Sequence, residues 1–196
     1  TFSQTTVPVY TIMAHVAVSK NLIDDSRGAA SILPYLNTQF STAYAIFEDE
    51  QFIVGNGIAG PQGILKDATT GGPYTFSYGS IVTQNSGGAT SITADAIRNQ
   101  PYQLATQYRS AGCKWFMSRG SVRVMKTLKD GTGDYLWADR GQQLMMGQPP
   151  KLEGYEIAET EVLAAPTSTS VTTYTASVYP ILFISKGSYL IVDKAG

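Results

Sequence analysis

The feature that most constrains this chain is a long helical pattern over about residues 29 to 54. Leu33, Leu36, Phe40, Ala43 or Tyr44, and Phe47 recur at steps of three or four, and Val54 lies two turns further on. Pro34 falls in the first turn or two, where a missing N–H costs least. Gly55, Asn56 and Gly57 then stop the pattern, as glycine does after a helix C-terminus. At 1.5 Å per residue the helix would run roughly 35 to 40 Å. It is of spine length for a chain of 196 residues.

Around this helix the chain mixes element types. Residues 5 to 18 read as a strand, because Val7, Val9, Ile12, Val16 and Val18 are β-branched with Tyr10 and Thr11 between them. Ser19 to Ser26 reads as a polar corner with two carboxylates. Residues 55 to 92 form a Gly/Ser/Thr/Pro-rich excursion in which Tyr74, Phe76 and Tyr78 alternate as in a short strand. Thr93 and Asp95 open a second helix with Ile97, Leu104 and Tyr108 on one side, which Pro101 must break or bend. Cys113 to Met117 reads as a buried strand. Ser118 caps a third helix carrying Val122, Met125 and Leu128.

Lys129 to Gly133 reads as a turn and Tyr135 to Trp137 as a short strand. A Pro/Gly loop spans 147 to 154, and Tyr155 to Ala158 is extended. A Thr/Ser-rich loop spans 165 to 178. Ile181 to Ile184 and Tyr189 to Val192 read as strands joined through Lys186-Gly187. Helices and strands alternate without a regular βαβ order, which predicts an α+β fold.

Composition narrows the function classes. The chain is 43 % hydrophobic, enough for a sizeable core, yet only 15 % charged, against about 25 % in ordinary soluble domains. Neutral surface is easily desolvated, which suits subunit contacts. The net charge is −1 and no Lys/Arg run occurs, so a basic stripe for tight nucleic-acid binding is not expected. Lining a container that holds DNA stays open. Cys113 is the single cysteine, so an intramolecular disulfide is impossible. No apolar run approaches the ~20 residues of a membrane span, and no signal peptide opens the chain. The sequence is read as that of a soluble protein from a reducing cytoplasm. Thr1 is not a natural start, so a fragment or processed product is expected.

Few residues offer chemistry. Gly55-x-Gly57-x-x-Gly60 has the spacing of a dinucleotide fingerprint, but a helix precedes it, Pro61-Gln62-Gly63 follows it, and Ser80 stands where an acid is needed. It is read as a helix stop and tight turn. His15 is the single histidine, which excludes multi-histidine zinc. No G-x-S-x-G elbow accompanies it. Asp24-Asp25 is read as a negative start to the long helix. Glu48, Asp49 and Glu50 are consecutive on a helix, so they cannot converge on one ion. Asp130 to Asp134 lacks the ligand spacing of a calcium loop. Cys113 is read as a small core residue. The expectation is that there are no catalytic, cofactor-binding or metal residues, no cofactor and no enzymatic activity.

Four stretches, in one order, resemble the major capsid proteins of tailed DNA phages of the Hong Kong 97 type. VAVSKNLIDDS at 16 to 26 is similar to that family's strand followed by S-x-x-L-L-x-D-S. AIFEDEQFIVGNG with PQGIL, 45 to 65, resembles the end of its spine helix, A-x-x-E-D-x-x-F-L-x-G-x-G, and then P-x-G-I-L. YRSAGCKWFMSRGSVRVMKTLKDGTGDYLW at 108 to 137 is similar to Y-R-x-N-A-x-W-V-M-N, a helix, and L-K-D-x-x-G-x-Y-L. LMMGQPPKLEGYEI at 144 to 157 resembles L-x-G-x-P-V and leads to PILFISKGSYLIVDKAG. Ala111-Gly112-Cys113 departs from the usual Asn-Ala by one extra residue, and Ser118 replaces Asn.

The resemblance implies a phage capsid fold: a peripheral lobe with the spine helix over 1–65, and an axial lobe of sheet and helices over 66–196. It implies a self-assembling coat protein of the icosahedral head of a tailed double-stranded DNA phage or prophage. Its partners would be other copies of itself in pentamers and hexamers, with scaffold, protease and portal proteins beside them. It would enclose DNA without sequence-specific binding and contact no membrane. Its location would be the virion capsid, assembled in the bacterial host cytoplasm. The family's N-terminal arm and most of its extended hairpin would precede Thr1, and its last strands would follow Gly196. Loops 55–92 and 165–180 are the expected contact regions between subunits. An encapsulin-like compartment shell resembles the same fold and is the alternative. A small hydrolase with a pocket at His15 or at the 48–50 acids is a third reading.

Overall fold

The computed structural model describes residues 7–25, 32–69, 81–88, 90–109, 112–129, 131–136, 151–167, 174 and 178–192. Two compact units are present, one of Thr1–Lys66 with Ile191–Gly196, the other of Asp67–Leu190.

The first unit is built on a helix. Residues 7–19 have no regular secondary structure and are mostly exposed, so the strand expected at 5–18 is absent among the described residues. β-branched side chains favour extended backbone, but a strand also needs a neighbour to take its N–H and C=O groups, and no described segment pairs with this one. One tie is the Tyr10 hydroxyl, which donates to the Gly57 carbonyl at 2.8 Å.

The expected polar corner is instead a short helix, α1 (Lys20–Asp25). The Ser19 hydroxyl accepts from the Leu22 N–H at 3.2 Å, the geometry of an N-cap. Asp24-Asp25 therefore closes α1 rather than opening the long helix.

Helix α2 (Ile32–Val54) has 23 residues, with Pro34 in its first turn, and is about 35 Å long. The expected start near residue 29 falls outside the described residues. Thr38, Ser41 and Thr42 each donate to a carbonyl four residues back at 2.9 Å, which satisfies their hydroxyls on the helix itself. It stops where expected. A Cβ on Gly55 would run into the carbonyl oxygens of Gln51 and Pro61, so the chain folds back here only because glycine has none. Asn56 Oδ1 accepts from the N–H groups of Ile58 and Ala59, an Asx turn. Asn56 and Gln62 then pair in an antiparallel bridge.

The second unit holds the core. A two-residue parallel pair, β1 (Ala68–Thr69) with β2 (Ile81–Val82), lies at the excursion. The expected Tyr74–Tyr78 strand falls outside the described residues. Helix α3 (Ala94–Gln103) starts at Thr93, whose Oγ1 accepts from the Ala96 N–H. It ends two residues after Pro101. Ile97 and Pro101 are buried, whereas Leu104 and Tyr108 lie beyond the helix and Tyr108 is exposed.

The main sheet has four strands in the order β4-β5-β3-β6. They are β3 (Lys114–Met117), β4 (Lys151–Leu152), β5 (Tyr155–Glu159) and β6 (Ile181–Ile184). β3 runs parallel to β5 with Trp115 opposite Ile157, and antiparallel to β6 with Trp115 opposite Phe183. Helix α4 (Arg119–Thr127) follows β3 and begins the crossover that the parallel pair requires. The class is α+β, with one parallel pair in an otherwise antiparallel sheet.

The Pro/Gly loop expected to 154 ends early, because Lys151–Leu152 already pairs with β5. The hairpin turns on Glu153 (φ 48°) and Gly154 (φ 85°), the two positive values of a type I′ turn. Tyr135 forms only an isolated bridge with Lys129, and Trp137 lies outside the described residues. The strand expected at 189–192 is absent too: after the turn at Lys186-Gly187 the chain is irregular and mostly exposed.

Alternation along β3 puts Trp115 and Met117 inward. They pack with Val122, Val124 and Met125 of α4, Ile97 of α3, Ile157 of β5, and Ile92 and Tyr174. The Trp115 ring also meets Phe183 at 4.7 Å between centroids.

Candidate assembly surfaces

The residues first examined for chemistry stay apart. His15 is exposed on the irregular 7–19 segment. Glu48, Asp49 and Glu50 fan around the last turns of α2. Among the described residues no group of His, Cys, Asp or Glu could hold a metal ion. The Gly55–Gly60 motif follows a helix C-terminus, where carbonyls face outward rather than the N–H groups a phosphate needs. Cys113 is buried, and its thiol lies 3.7 Å from the Tyr108 carbonyl. Asp130 lies outside the described residues. Among these, no helix is long and apolar enough to cross a membrane.

Surface is the more informative property. In the first unit Ile53 is the one buried residue of α2. Leu33 is 62 % exposed and Ile46 63 %, with Tyr35, Tyr44 and Phe47 also exposed. At 100° per residue, Leu33, Tyr44 and Phe47 share one face, and Tyr35 and Ile46 lie on roughly the opposite one. A helix apolar on opposite faces is ordinarily buried all round. Val7, Val9, Met13 and Val16 of the preceding segment are exposed as well, and so is Ile58 in the 55–63 turn. Bare apolar surface of this extent is a candidate site of interaction.

The second unit behaves differently. Its exposed large residues are mostly tyrosines, such as Tyr102, Tyr135 and Tyr179, with a phenol to wet and a ring to pack. Its interior is pinned by a polar cluster at the start of α4. Ser118 caps the helix by accepting from the Ser121 N–H. The two hydroxyls lie 3.0 Å apart, and both reach the Ala164 carbonyl at 3.3 Å. The Tyr174 hydroxyl donates to Ser121 Oγ at 3.0 Å, and the Tyr174 N–H donates to the Thr90 carbonyl at 2.8 Å. Tyr174 thus fixes part of the Thr/Ser-rich loop against the core. Burial pushes its phenol above the ordinary value, opposed by the Ser121 hydrogen bond and the Arg123 charge. Burial also raises Tyr189. Opposite each other on β3 and β5, Lys114 and Glu156 pair at 3.0 Å, and the Lys114 hydrogen bond and charge hold Glu156 below the ordinary carboxylate value.

One surface escaped the reading of the sequence. Arg119, Arg123 and Lys126 are exposed on α4, at steps of four and three. They lie on one side of the helix, opposite the buried Ser121, Val122, Val124 and Met125. A search for consecutive cations cannot find them, whereas helical spacing does.

The sequence matches the phage capsid family over residues 1–196. The fold is similar to the capsid of an empty GTA particle, with a TM-score of 0.69 and 27 % identity over 84 % of this chain and 52 % of that one. It is similar to the same degree to the capsid of a native GTA particle, with 28 % identity and the same coverage. The chain therefore spans about half the length of the solved capsid chains it matches. No curated protein sequence is significantly similar to it. An α+β fold, an apolar long helix left bare and a family match from end to end lead to one conclusion: the chain belongs to the phage capsid family.

Proposed function

We propose that this protein is the major capsid subunit of a tailed double-stranded DNA phage or a prophage-derived particle, a structural protein without enzymatic activity. The observation that carries the reading is α2, an apolar helix with a single buried residue. Such a helix gains its stability from neighbours, and in a closed shell the neighbours are further copies of the same chain. The two similar GTA capsids were computed with C5 symmetry, which supports a five-fold arrangement for this chain too. Pentamers and hexamers of the full-length protein would build the shell through many modest contacts whose sum is stable.

In this reading, residues 1–65 form a peripheral lobe around the spine helix and residues 66–196 an axial lobe. The loops at 55–92 and 165–180 reach neighbouring subunits. The shell encloses DNA without reading its sequence, and scaffold, protease and portal proteins assist assembly in the host cytoplasm. Electron microscopy of the expressed full-length protein tests this. Uniform icosahedral shells are expected, with DNA inside particles from phage-producing cells. Soluble monomers that persist when the neighbouring assembly genes are co-expressed would overturn the reading, and protein cargo in place of DNA would reassign the shell to a compartment.

A further inference from the structure

We infer that the end of the main sheet at which β3 begins docks against a second copy of this chain, with Arg109 taking the carboxylate of Glu159 or Glu161 from that copy. The inference rests on the reading that copies of this chain pack side by side in a shell. The Cys113 thiol sits 3.7 Å from the Tyr108 carbonyl, just before β3, which places Arg109 at that end of the strand. Its side chain is held in two ways. Nε donates to the Leu104 carbonyl at 3.3 Å, and Cζ stands 5.1 Å from the centre of the Tyr102 ring. These contacts use one N–H, and the four at the tip of the guanidinium have no partner among the described residues. An arginine already fixed by its own chain loses little freedom on binding, which suits it to anchor a contact. Tyr102 is 67 % exposed and Tyr108 39 %, and tyrosine beside arginine is the composition of interface anchors.

Charge selects the partner. No Asp or Glu occurs from 96 to 129. At this end of the sheet Lys114 opens β3, Lys151 opens β4, and Lys186 lies beside Gly112. Lys114 takes Glu156, and Arg98 takes Glu153 at 3.7 Å. With Asp95, one turn before Arg98 on α3, three carboxylates stand against five cations here, and Arg109 has no ion pair among the described residues. The far end of the same strands differs. Glu159 closes β5 opposite Met117, and the Thr160 N–H donates to the Met117 carbonyl at 3.1 Å, so Glu159 and Glu161 flank the end of β3. Both are exposed, with Arg119 opening α4 beside them, and neither forms an ion pair among the described residues. The two ends lie about 13 Å apart along β3, so the carboxylates cannot reach Arg109 within one subunit. They meet it when copies pack head to tail, the heterologous contact that closes into rings. Complementary charge then fixes the register between neighbours.

The test is self-association of the full-length protein, followed by sedimentation velocity and electron microscopy, with circular dichroism to check that each variant is folded. Arg109→Ala should raise the concentration for half-association about tenfold or more, and Arg109→Glu should abolish assembly. Glu159→Arg/Glu161→Arg should do the same. Combining it with Arg109→Glu should restore association, because the reversed charges again face each other. A control in the other unit, Lys20→Glu, should assemble as the unaltered protein does. Normal assembly of Arg109→Glu overturns the inference, as does a combined variant no better than its parents or an equal loss in the control. For any reversal that fails to fold, Arg109→Gln and Glu159→Gln/Glu161→Gln replace it. In a shared contact their effects fall short of adding, and additive effects overturn the inference. Sedimentation reads contacts between copies whether or not shells close, which separates this inference from the capsid reading. Open assemblies that respond to these substitutions support it while counting against a shell. Closed shells that ignore them overturn it and leave the capsid reading standing.

Discussion

At the scale of single residues, the most consequential side chain is Trp115. It is 0 % exposed, its Nε1 donates to the Leu152 carbonyl at 3.0 Å, and its ring meets Phe183. Trp115→Ala should destabilise the chain by about 3 to 5 kcal/mol, through the cavity and the orphaned carbonyl together, measured by urea unfolding. Tyr174 supplies a second prediction, set by pH. Its folded phenol titrates above the ordinary value of 10.0, so above that pH the unfolded chain loses a proton that the folded chain keeps. Stability is complete below pH ~10 and falls as pH rises through the folded value. Tyr174→Phe should cost about 1 kcal/mol at neutral pH and make the alkaline decline shallower, leaving the part due to Tyr189. An unchanged alkaline profile would remove Tyr174 from this role. The burial of the 113–117 strand was legible from its apolar composition, whereas the alternation that turns Trp115 inward and Lys114 outward was not. Nor was the Trp115 hydrogen bond, because Leu152 is 37 positions away. The Tyr174–Ser121 contact, at a separation of 53, was equally invisible.

At the scale of elements, local signals were read well where they act on chain neighbours. Thr93 and Ser118 cap α3 and α4, and the Gly55 stop lies where α2 ends. Ser118→Ala should cost about 1 to 2 kcal/mol, the upper range for a cap, since Ser118 is buried and also bonds Ser121 and the Ala164 carbonyl. Hydrogen exchange should quicken first in the opening turn of α4, and uniform acceleration across the sheet would argue against a local cap. Strands were read less well. Residues 7–19 and 189–192 have strand composition and no strand. β-propensity describes fit to a pleated neighbour, so without that neighbour the backbone has no ladder to join. Lys151–Leu152 shows the converse: weak by composition, it pairs because the Glu153-Gly154 turn folds it onto β5.

At the scale of the whole molecule, the uneven burial of the two units is the central fact. The second unit owns the nine-residue core cluster, and in the first unit α2 buries Ile53 alone. Exposed apolar residues can be changed with little effect on a monomer. Leu33→Ser and Ile46→Ser, on roughly opposite faces of α2, should each alter the stability of the isolated chain by no more than about 0.5 kcal/mol. In the full-length protein each should reduce or abolish shell formation, scored by electron microscopy. A variant that destabilises the chain and leaves shells intact would show that the residue is buried within its own subunit. The order of the family-like stretches made this class of protein legible from sequence, while the bareness of α2 required knowing which of its apolar residues find partners inside the chain.

The sequence by itself determined the long helix and its glycine stop, the caps of α3 and α4, the presence of a strand at β3 and the absence of a multi-histidine or disulfide chemistry. These follow from interactions between residues a few positions apart, whose geometry is the same in any fold. Tertiary structure decided that β5 lies parallel to β3 and β6 antiparallel on its other side, that Tyr174 reaches Ser121, that residues 7–19 remain without a ladder, and which faces stay bare. Those outcomes depend on register between distant segments and on the entropy of closing the loops between them, quantities that no window of sequence contains.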